Sequence, residues 1–274
     1  FYLCKKDKKK VHLKPIIEGT DIRFELREGV CEEEGFLKKG VNLVCPCCQS
    51  TTPYKEVKEQ FINHTTGERL IALIKDGENG KEYALPSDTD LEIVEKAKPN
   101  PEFVPSEVMD NGNYRDLKLP KWGLMNWSEM FTDRQLLAMQ TLIARLEALR
   151  LELTQLHGQL TPYQNAVLTY LGIWVDRVAA VSTSFGRFDV TRENIQSPFS
   201  RQAIPFIFDF PEICPFQYNT GSLLNHSNWI QKYIEEESGS LFFSICNNAS
   251  SGDINQFEVK SLDAVVTDPP YYDA

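Results

Sequence analysis

The chain has 274 residues, of which 42% are hydrophobic and 25% are charged, and this composition excludes a wholly disordered protein. Its formal net charge of -10 excludes a protein that holds nucleic acid by overall charge, because phosphates are bound by clustered Lys and Arg, so any contact with DNA must be local. No run of about 18 apolar residues and no signal-peptide layout occurs, which predicts a cytoplasmic protein with no membrane partner.

A cluster of lysines near the start is the clearest basic feature, and it comprises Lys5, Lys6, Lys8, Lys9 and Lys10. From the sequence alone, a solvated strand edge or terminus explains such a run more simply than a phosphate-binding patch does. The seven cysteines are an odd number in a chain without a secretory signal, which predicts burial or metal binding rather than a disulfide framework. The four histidines stand alone, so we expect them to pack or to face solvent.

The first 97 residues are rich in strand patterns. Residues Asp21 to Arg27 alternate apolar and charged side chains, which is typical of a half-buried strand. A second pattern predicts a hairpin that joins Arg69–Ile74 to Lys81–Leu85 across a turn containing Gly and Asn. Between these patterns, Cys45-Pro46-Cys47-Cys48 contains a Cys-x-x-Cys pair, whose spacing suits half of a tetrahedral zinc site. We therefore expect a β-rich segment over residues 1–97.

Helical signals dominate the middle of the chain. Pro86-Ser87-Asp88 begins a short predicted helix, and the proline-rich residues 98–120 that follow predict a linker or extended loop. A later helix is predicted from about Ser227 to Glu236, after a stretch with many phenylalanines. Residues 121–237 are thus expected to form a helical and aromatic-rich segment, which is our candidate for target recognition.

Two long helices are predicted within that segment. Thr132, with Gln135 three residues later, forms a capping box, and Thr161 with Gln164 repeats the pattern. Apolar residues recur at helical spacing after each box. We expect an antiparallel helix pair joined near Gly158.

The C-terminal residues 238–274 have the pattern of the first strands of a catalytic α/β sheet. Leu241–Cys246 is a predicted strand, and Ala264–Thr267 is short, apolar and β-branched, as expected for a buried parallel strand. Asp268-Pro269-Pro270-Tyr271 follows it directly. Ligands bind beyond the carboxyl ends of the strands in open α/β sheets, so this loop is placed where a site belongs.

These four residues suit methyl transfer to an amino group of a base. The lone pair of an exocyclic amino nitrogen is delocalised into the ring, and two acceptors that hold its hydrogens can turn the lone pair toward an incoming methyl group. The Asp268 carboxylate and the Pro269 carbonyl can supply both acceptors, while Pro269 and Pro270 stiffen the loop. Tyr271 offers an aromatic face for a base that is flipped out of the duplex.

The tetrapeptide resembles the catalytic motif of the AdoMet-dependent amino-methyltransferases, which act on adenine N6 or cytosine N4. Asp268 in first position resembles the adenine-specific DNA enzymes more than the cytosine enzymes, which often have Ser, or the RNA and protein-glutamine enzymes, which often have Asn. The resemblance implies a Rossmann-like fold, AdoMet as cofactor and DNA as partner. It also implies that Asp253 binds the adenine of the cofactor, although a plain Gly-Asp turn fits this residue about equally well.

A wider resemblance covers nearly the whole chain. The chain is similar to the adenine-specific DNA methylases that contain a zinc ribbon, through Trp127, Phe131, Arg134-Gln135-Leu136, Asp176-Arg177, Phe199, Arg201-Gln202-Ala203, Asp209-Phe210, Glu212, Pro215-Phe216 and Asp263–Asp273. In that family a glycine-rich AdoMet motif and a further cysteine pair precede the matching region, and this chain has neither. The resemblance therefore implies an internal piece of such an enzyme, which binds little AdoMet by itself.

The resemblance also bears on the cysteines and on the competing functions. Cys45 and Cys48 resemble one knuckle of a zinc ribbon, which needs a second pair to hold zinc, and Cys4 and Cys31 are weaker substitutes for that pair. Our leading hypothesis is a DNA adenine N6-methyltransferase. One alternative is a non-catalytic zinc-ribbon module that binds nucleic acid, in which Asp268-Pro269-Pro270-Tyr271 would be a structural turn. The other is an RNA or cytosine-N4 amino-methyltransferase.

Overall fold

The structure, a computed structural model, describes residues 1–32, 35–38, 42–110, 117–200, 203–218, 221–239, 247–250 and 252–267. Over these ranges the chain forms a mixed α/β structure of small antiparallel sheets and five α-helices. It divides into two units, Phe1–Lys232 and Tyr233–Ala274. No helix within the described ranges is long and apolar enough to cross a membrane.

The N-terminal sheet has three antiparallel strands in the order β1 (Tyr2–Lys5), β2 (Lys10–Glu18) and β3 (Asp21–Glu28). The strand predicted from Asp21 to Arg27 is thereby confirmed. Successive side chains of a strand point to opposite faces, and Val11 and Leu13 of β2 are buried in the core on one face. His12, on the opposite face of β2, is buried as well, so β2 is covered on both faces here, whereas β3 alternates as its sequence predicts.

Short strands build the other sheets, and they are β4 (Leu37–Lys38), β5 (Asn42–Val44), β6 (Thr51–Thr52), β7 (Leu73–Gly77), β8 (Gly80–Ala84), β9 (Arg187–Asp189) and β10 (Asn194–Gln196). Strands β4, β5 and β6 form one antiparallel sheet in that order. The pairs β7-β8 and β9-β10 are hairpins. The hairpins therefore come from widely separated parts of the sequence.

The predicted hairpin of β7 and β8 is present, but its first strand begins at Leu73 rather than at Arg69. The preceding residues are held by the N-terminal sheet instead. Arg69 donates a hydrogen bond to the Ile22 carbonyl at 2.8 Å, and Ile71 and Ala72 pack against the core beneath that sheet. These tertiary contacts replace the strand pairing that the sequence pattern predicts.

The helices are α1 (Tyr54–Ile62), α2 (Asp88–Lys96), α3 (Asp133–His157), α4 (Pro162–Ala179) and α5 (Leu223–Glu237). The predicted capping boxes are confirmed, because the hydroxyls of Thr132 and Thr161 each accept a hydrogen bond from the backbone N–H three residues later. Helix α3 ends at Gly158, whose φ is +75°. Helices α3 and α4 pack through Met139 and Val178. Helix α5 begins four residues before the predicted Ser227.

Aromatic side chains from distant parts of the sequence pack together in the first unit. The Trp122 ring stacks on Phe206 at a centroid distance of 4.0 Å, and Phe61 of α1 meets both rings edge-on. Gly123 has a φ of +89°, and a Cβ there would lie 2.7 Å from the Cα of Ile62. Only glycine therefore lets α1 approach this closely.

Residues from the segment 98–120, which the sequence predicts to be a linker or extended loop, contribute to the same core. Met109, Leu117 and Leu119 are buried and belong to one cluster with Met130. The backbone is irregular here and includes short 3-10 helical turns. The described part of this segment is therefore anchored by its apolar side chains, although it lacks the periodicity of a helix or strand.

The prediction of a buried strand at Ala264–Thr267 is wrong for this chain. These residues are irregular in backbone, and the side chains of Val265 and Val266 are 73% and 96% exposed. A parallel strand needs a neighbour on each side and a cover on both faces, and no strand in the described residues pairs with this segment. The predicted neighbour, Leu241–Cys246, lies outside the described residues. A Rossmann-like sheet accordingly remains a prediction.

The carboxylate of Glu193 joins three hairpins of the first unit. Glu193 is 6% exposed, accepts a hydrogen bond from the Tyr83 hydroxyl of β8, and forms an ion pair with Lys6 in the β1–β2 turn. The same ion pair raises the pKa of Lys6. Lys81 donates to the Glu193 backbone carbonyl, and Lys5 N–H donates to the Val190 carbonyl at 2.7 Å. The β9–β10 hairpin therefore fixes both β8 and the N-terminal turn.

Replacing Glu193 tests this junction. We expect Glu193→Ala to lower the free energy of unfolding by about 2–3 kcal/mol, because the half-buried Tyr83 hydroxyl and the Lys6 ammonium lose their shared partner, although the half-exposed Lys6 can reach water. The matched control is Glu147→Ala, which removes a carboxylate paired with Arg150 on the exposed side of α3 and should leave the free energy of unfolding nearly unchanged. Urea unfolding followed by circular dichroism measures both. Equal effects of the two substitutions would contradict the junction.

Candidate functional site

The cysteine cluster lies in the turn that joins β5 and β6. Val44 pairs with Thr51, and beyond that pair the Cys45 N–H donates to the Ser50 carbonyl at 2.8 Å. The Cys45 carbonyl in turn accepts from the Gln49 N–H at 2.9 Å, and Gln49 has a φ of +61°. This left-handed residue turns the chain back into β6, where glycine would be the usual choice. The cysteine turn thus brings Cys45 and Cys48 to one end of a hairpin.

The thiols of the cysteine turn lie in different environments. Hydrogen bonds from the side chain and backbone of Ser50, followed by a contact with Cys45, lower the pKa of the exposed Cys48 thiol. Its Sγ lies 3.0 Å from Ser50 Oγ. Partial burial, followed by the neighbouring Cys45, raises the pKa of Cys47. Because the thiolate is the form that binds metal, Cys48 is better prepared for coordination than Cys47.

The cysteine turn fits half of a zinc site. Cys45 and Cys48 can supply two thiolates, whereas structural zinc takes four protein ligands. Within the described ranges, no group of three or more His, Cys, Asp or Glu side chains is arranged to hold a metal ion. Cys4 is buried in the core of the N-terminal sheet with its Sγ donating to the Lys9 carbonyl, so it cannot complete the site. Cys31 is half-buried, and its N–H donates to the Tyr2 hydroxyl.

Asp253, the predicted contact for the AdoMet adenine, caps a 3-10 helical turn. Its Oδ1 accepts from the Asn255 N–H at 3.0 Å and from Asn255 Nδ2 at 3.1 Å. The side chains described around it are exposed, apart from the half-buried Gln256. The carboxylate therefore caps its own turn, and its role as a contact for the cofactor stays a prediction.

The predicted catalytic residues Asp268, Pro269, Pro270 and Tyr271 lie outside the described residues. The structure therefore contributes no geometry for this loop. Asp263, which begins the longer stretch of resemblance, is described and exposed. The chemistry assigned to the four loop residues remains a prediction from sequence.

Two residues of the wider resemblance, Arg134 and Glu212, meet in a bidentate ion pair. Arg134 Nε donates to Glu212 Oε1 at 2.8 Å, and Nη2 donates to Oε2 at 2.9 Å. The Thr132 hydroxyl donates to the same carboxylate at 3.1 Å. The Glu212 partner raises the pKa of Arg134. These contacts tie the start of α3 to the segment before α5, which gives both residues a structural role.

Two buried polar residues, Glu193 and His226, are absent from the sequence-based predictions of a site. His226 of α5 is buried, and neither ring nitrogen has a hydrogen-bond partner within the described residues. Burial, followed by the charge of Arg177, lowers its pKa and so favours the neutral ring. His226 lies three residues after Leu223, on the same face of α5, and Leu223 packs against the α3–α4 core. This spacing is the local signal for the burial of His226. Glu193 has no such signal.

Comparisons with known proteins return no match. No protein-family model matches the chain, and no curated protein or solved structure matches it either. The resemblance to the adenine-specific methylases that contain a zinc ribbon, the methyl-transfer activity and the AdoMet and zinc sites therefore stay predictions. Their support comes from the residues themselves.

The half-site predicts weak zinc binding by this chain. We expect the purified 274-residue chain to retain less than one zinc per molecule after dialysis, because two thiolates leave half of the tetrahedron to water. Cys48→Ser should remove the remaining zinc, and Cys214→Ser, which alters an exposed cysteine of another segment, should leave it unchanged. Metal analysis by mass spectrometry gives the readout. One tightly held zinc per wild-type chain would contradict a half-site.

Proposed function

We propose that this chain is part of an AdoMet-dependent DNA methyltransferase that acts on the N6 amino group of adenine. The observation that carries the proposal is the sequence Asp268-Pro269-Pro270-Tyr271 directly after the apolar residues Ala264–Thr267. The tetrapeptide combines an anionic acceptor, a stiff backbone and an aromatic face in consecutive positions. Each of these three elements can serve amino-group methylation of an extruded base.

The proposed role of the loop is to hold and orient the target amine. The Asp268 carboxylate accepts one amino hydrogen and the Pro269 carbonyl accepts the other, which turns the nitrogen lone pair out of the plane of the ring. Because Pro269 and Pro270 have restricted φ angles, the two acceptors are positioned before the base arrives. Tyr271 stacks on the base and offsets part of the free energy of unstacking it from the duplex.

A Rossmann-like sheet that begins in residues 238–274 is part of the proposal. The resemblance to the amino-methyltransferases supports this sheet, whereas Ala264–Thr267 do not form a strand in the structure. AdoMet would supply the methyl group when bound. Asp253 would contact the adenine of the cofactor, and the proposal assigns the rest of the cofactor site to residues outside this chain.

A second candidate function is a zinc-ribbon module that binds nucleic acid without catalysis. The specific observation in its favour is the cysteine turn, in which a β-hairpin presents Cys45 and Cys48 together and Cys48 faces solvent. In this case Asp268 and its neighbours would form a structural turn. Methyl transfer separates the two candidates, because a binding module has no such activity.

Substitution of Asp268 tests the catalytic role in the enzyme that carries this chain. We expect Asp268→Ala to reduce the rate of methyl transfer to duplex DNA by two to three orders of magnitude, about 3–4 kcal/mol, since a preorganised acceptor is lost from the transition state. AdoMet affinity should be nearly unchanged, because the carboxylate contacts the target amine. Single-turnover kinetics and calorimetric titration measure the two quantities. Wild-type transfer by the variant would rule out this role.

Substitution of Tyr271 should separate base capture from chemistry. Tyr271→Ala is expected to weaken binding of DNA with a flipped adenine by about 1–3 kcal/mol, because the stacking surface is lost. Tyr271→Phe keeps the aromatic face and serves as the matched control, with much of the activity retained. Fluorescence of 2-aminopurine at the target position reports base flipping. If Tyr271→Phe loses as much as Tyr271→Ala, then the hydroxyl rather than the ring is responsible.

A further inference from the structure

The lysine run of the N-terminus lies at the turn between β1 and β2. Lys6 N–H donates to the Lys9 carbonyl at 2.9 Å and Lys9 N–H donates back to Lys6 at 3.3 Å, with Asp7 and Lys8 between them. Six lysines and one aspartate give residues 1–14 a net charge of +5, in a chain whose net charge is -10. Positive charge is thus concentrated on this hairpin.

Two lysines of the run hold the turn in place. Lys6 forms the ion pair with Glu193. Lys9 Nζ donates to the Lys81 carbonyl at 2.6 Å and lies 4.8 Å from the centroid of the Tyr83 ring. These contacts attach the turn to β8 and to the β9–β10 hairpin. The turn therefore has a fixed position before any partner binds.

The other lysines leave their charges available on the outside of that fixed turn. Lys8 is exposed and Lys10 is half-buried, and within the described part of the chain their ammonium groups make no hydrogen bond or ion pair. Lys5 pairs directly opposite Lys10 across β1 and β2, and its Nζ lies 5.2 Å from the centroid of the Tyr2 ring. We call Lys5, Lys8 and Lys10 the lysine tip.

We propose that the lysine tip binds the phosphate backbone of DNA. The choice of DNA as the polyanion rests on the proposed function, whereas the position of the contact rests on the structure. A depression of about 290 Å³ at the tip is lined by Lys8, Lys9 and Lys10, but also by Asp7 and Glu28. A single phosphate ion in it would meet both carboxylates. A duplex, whose phosphates are spaced along a strand, can contact Lys5, Lys8 and Lys10 outside it.

A fixed turn makes these contacts more favourable. Binding by a flexible lysine-rich terminus would require ordering of the backbone, whereas here the Glu193 and Tyr83 contacts have already ordered it. The contacts are to phosphate and carry no sequence information, so the lysine tip positions the duplex and leaves recognition of the target to other residues. The binding should accordingly depend strongly on salt and weakly on sequence.

The test measures binding of the 274-residue chain to a labelled 24-base-pair duplex by fluorescence anisotropy between 50 and 200 mM salt, a range of about fourfold chosen to resolve the salt slope. The double variant Lys8→Gln/Lys10→Gln should reduce the slope of log K against log salt by about 1.8 and weaken binding roughly 60-fold at about 0.1 M salt. The control Lys55→Gln/Lys96→Gln removes the same charge from α1 and α2, where both lysines pair with glutamates, and should leave the slope unchanged.

Each outcome decides between explanations. An unchanged slope in the Lys8 and Lys10 variant, or an equal loss in the control, would overturn the lysine tip as the contact. Equal affinity of the wild-type chain for polyglutamate at the same salt would overturn nucleic acid as its partner. Methyl transfer is measured separately in the longer enzyme. Normal methyl transfer together with an unchanged salt slope in the Lys8 and Lys10 variant would contradict only the contact between the lysine tip and DNA. DNA binding by the lysine tip without any methyl transfer would contradict only the proposed catalysis.

Discussion

The buried carboxylate of Glu193 is the contact on which the β-rich part of this chain depends. A carboxylate loses several kcal/mol of hydration on burial, and here the Tyr83 hydroxyl and the Lys6 ammonium replace the lost water. Glu193 also adopts a φ of +54°, which a glutamate rarely accepts. The surrounding hydrogen bonds hold it there, since its N–H donates to the Asp189 carbonyl at 2.6 Å.

This single contact links parts of the chain that are far apart in sequence. Tyr83 and Glu193 are 110 residues apart, and Lys6 and Glu193 are 187 residues apart. The N-terminal hairpin and β8 contact each other through Lys9, and the carboxylate attaches both of them to the β9–β10 hairpin. A turn fixed in this way can present Lys8 and Lys10 to a partner without further ordering, which connects the fold to the proposed contact with DNA.

Local signals predicted the parts of the fold that local physics controls. The capping boxes at Thr132 and Thr161 gave the starts of α3 and α4, because a cap and its helix lie within a few residues of each other. The alternation from Asp21 to Arg27 gave β3 for the same reason. The pattern at Ala264–Thr267 failed as a prediction, because a strand also needs neighbours that a tetrapeptide does not encode.

Local sequence patterns did not predict contacts between residues that are far apart in the sequence. The burial of Met109, Leu117 and Leu119 follows from packing against Met130. The proline-rich sequence around them has no periodic pattern of apolar residues that would predict this burial. Of the candidate site, the Cys-x-x-Cys spacing predicted half of a zinc site in a β-rich segment; the structure places Cys45 and Cys48 in the turn between β5 and β6, and zinc binding stays a prediction. The partners of Glu193 could not be inferred from the sequence, because an isolated glutamate is usually solvated.

The central claim, that this chain belongs to an enzyme that methylates adenine in DNA, is tested most directly by the position of a transferred label. The full enzyme is incubated with duplex DNA and AdoMet carrying a labelled methyl group, and the DNA is digested to nucleosides. The account predicts that the label is found in N6-methyladenine. Label in N4-methylcytosine would keep the amine chemistry and overturn the substrate, and DNA without any label would contradict the claim.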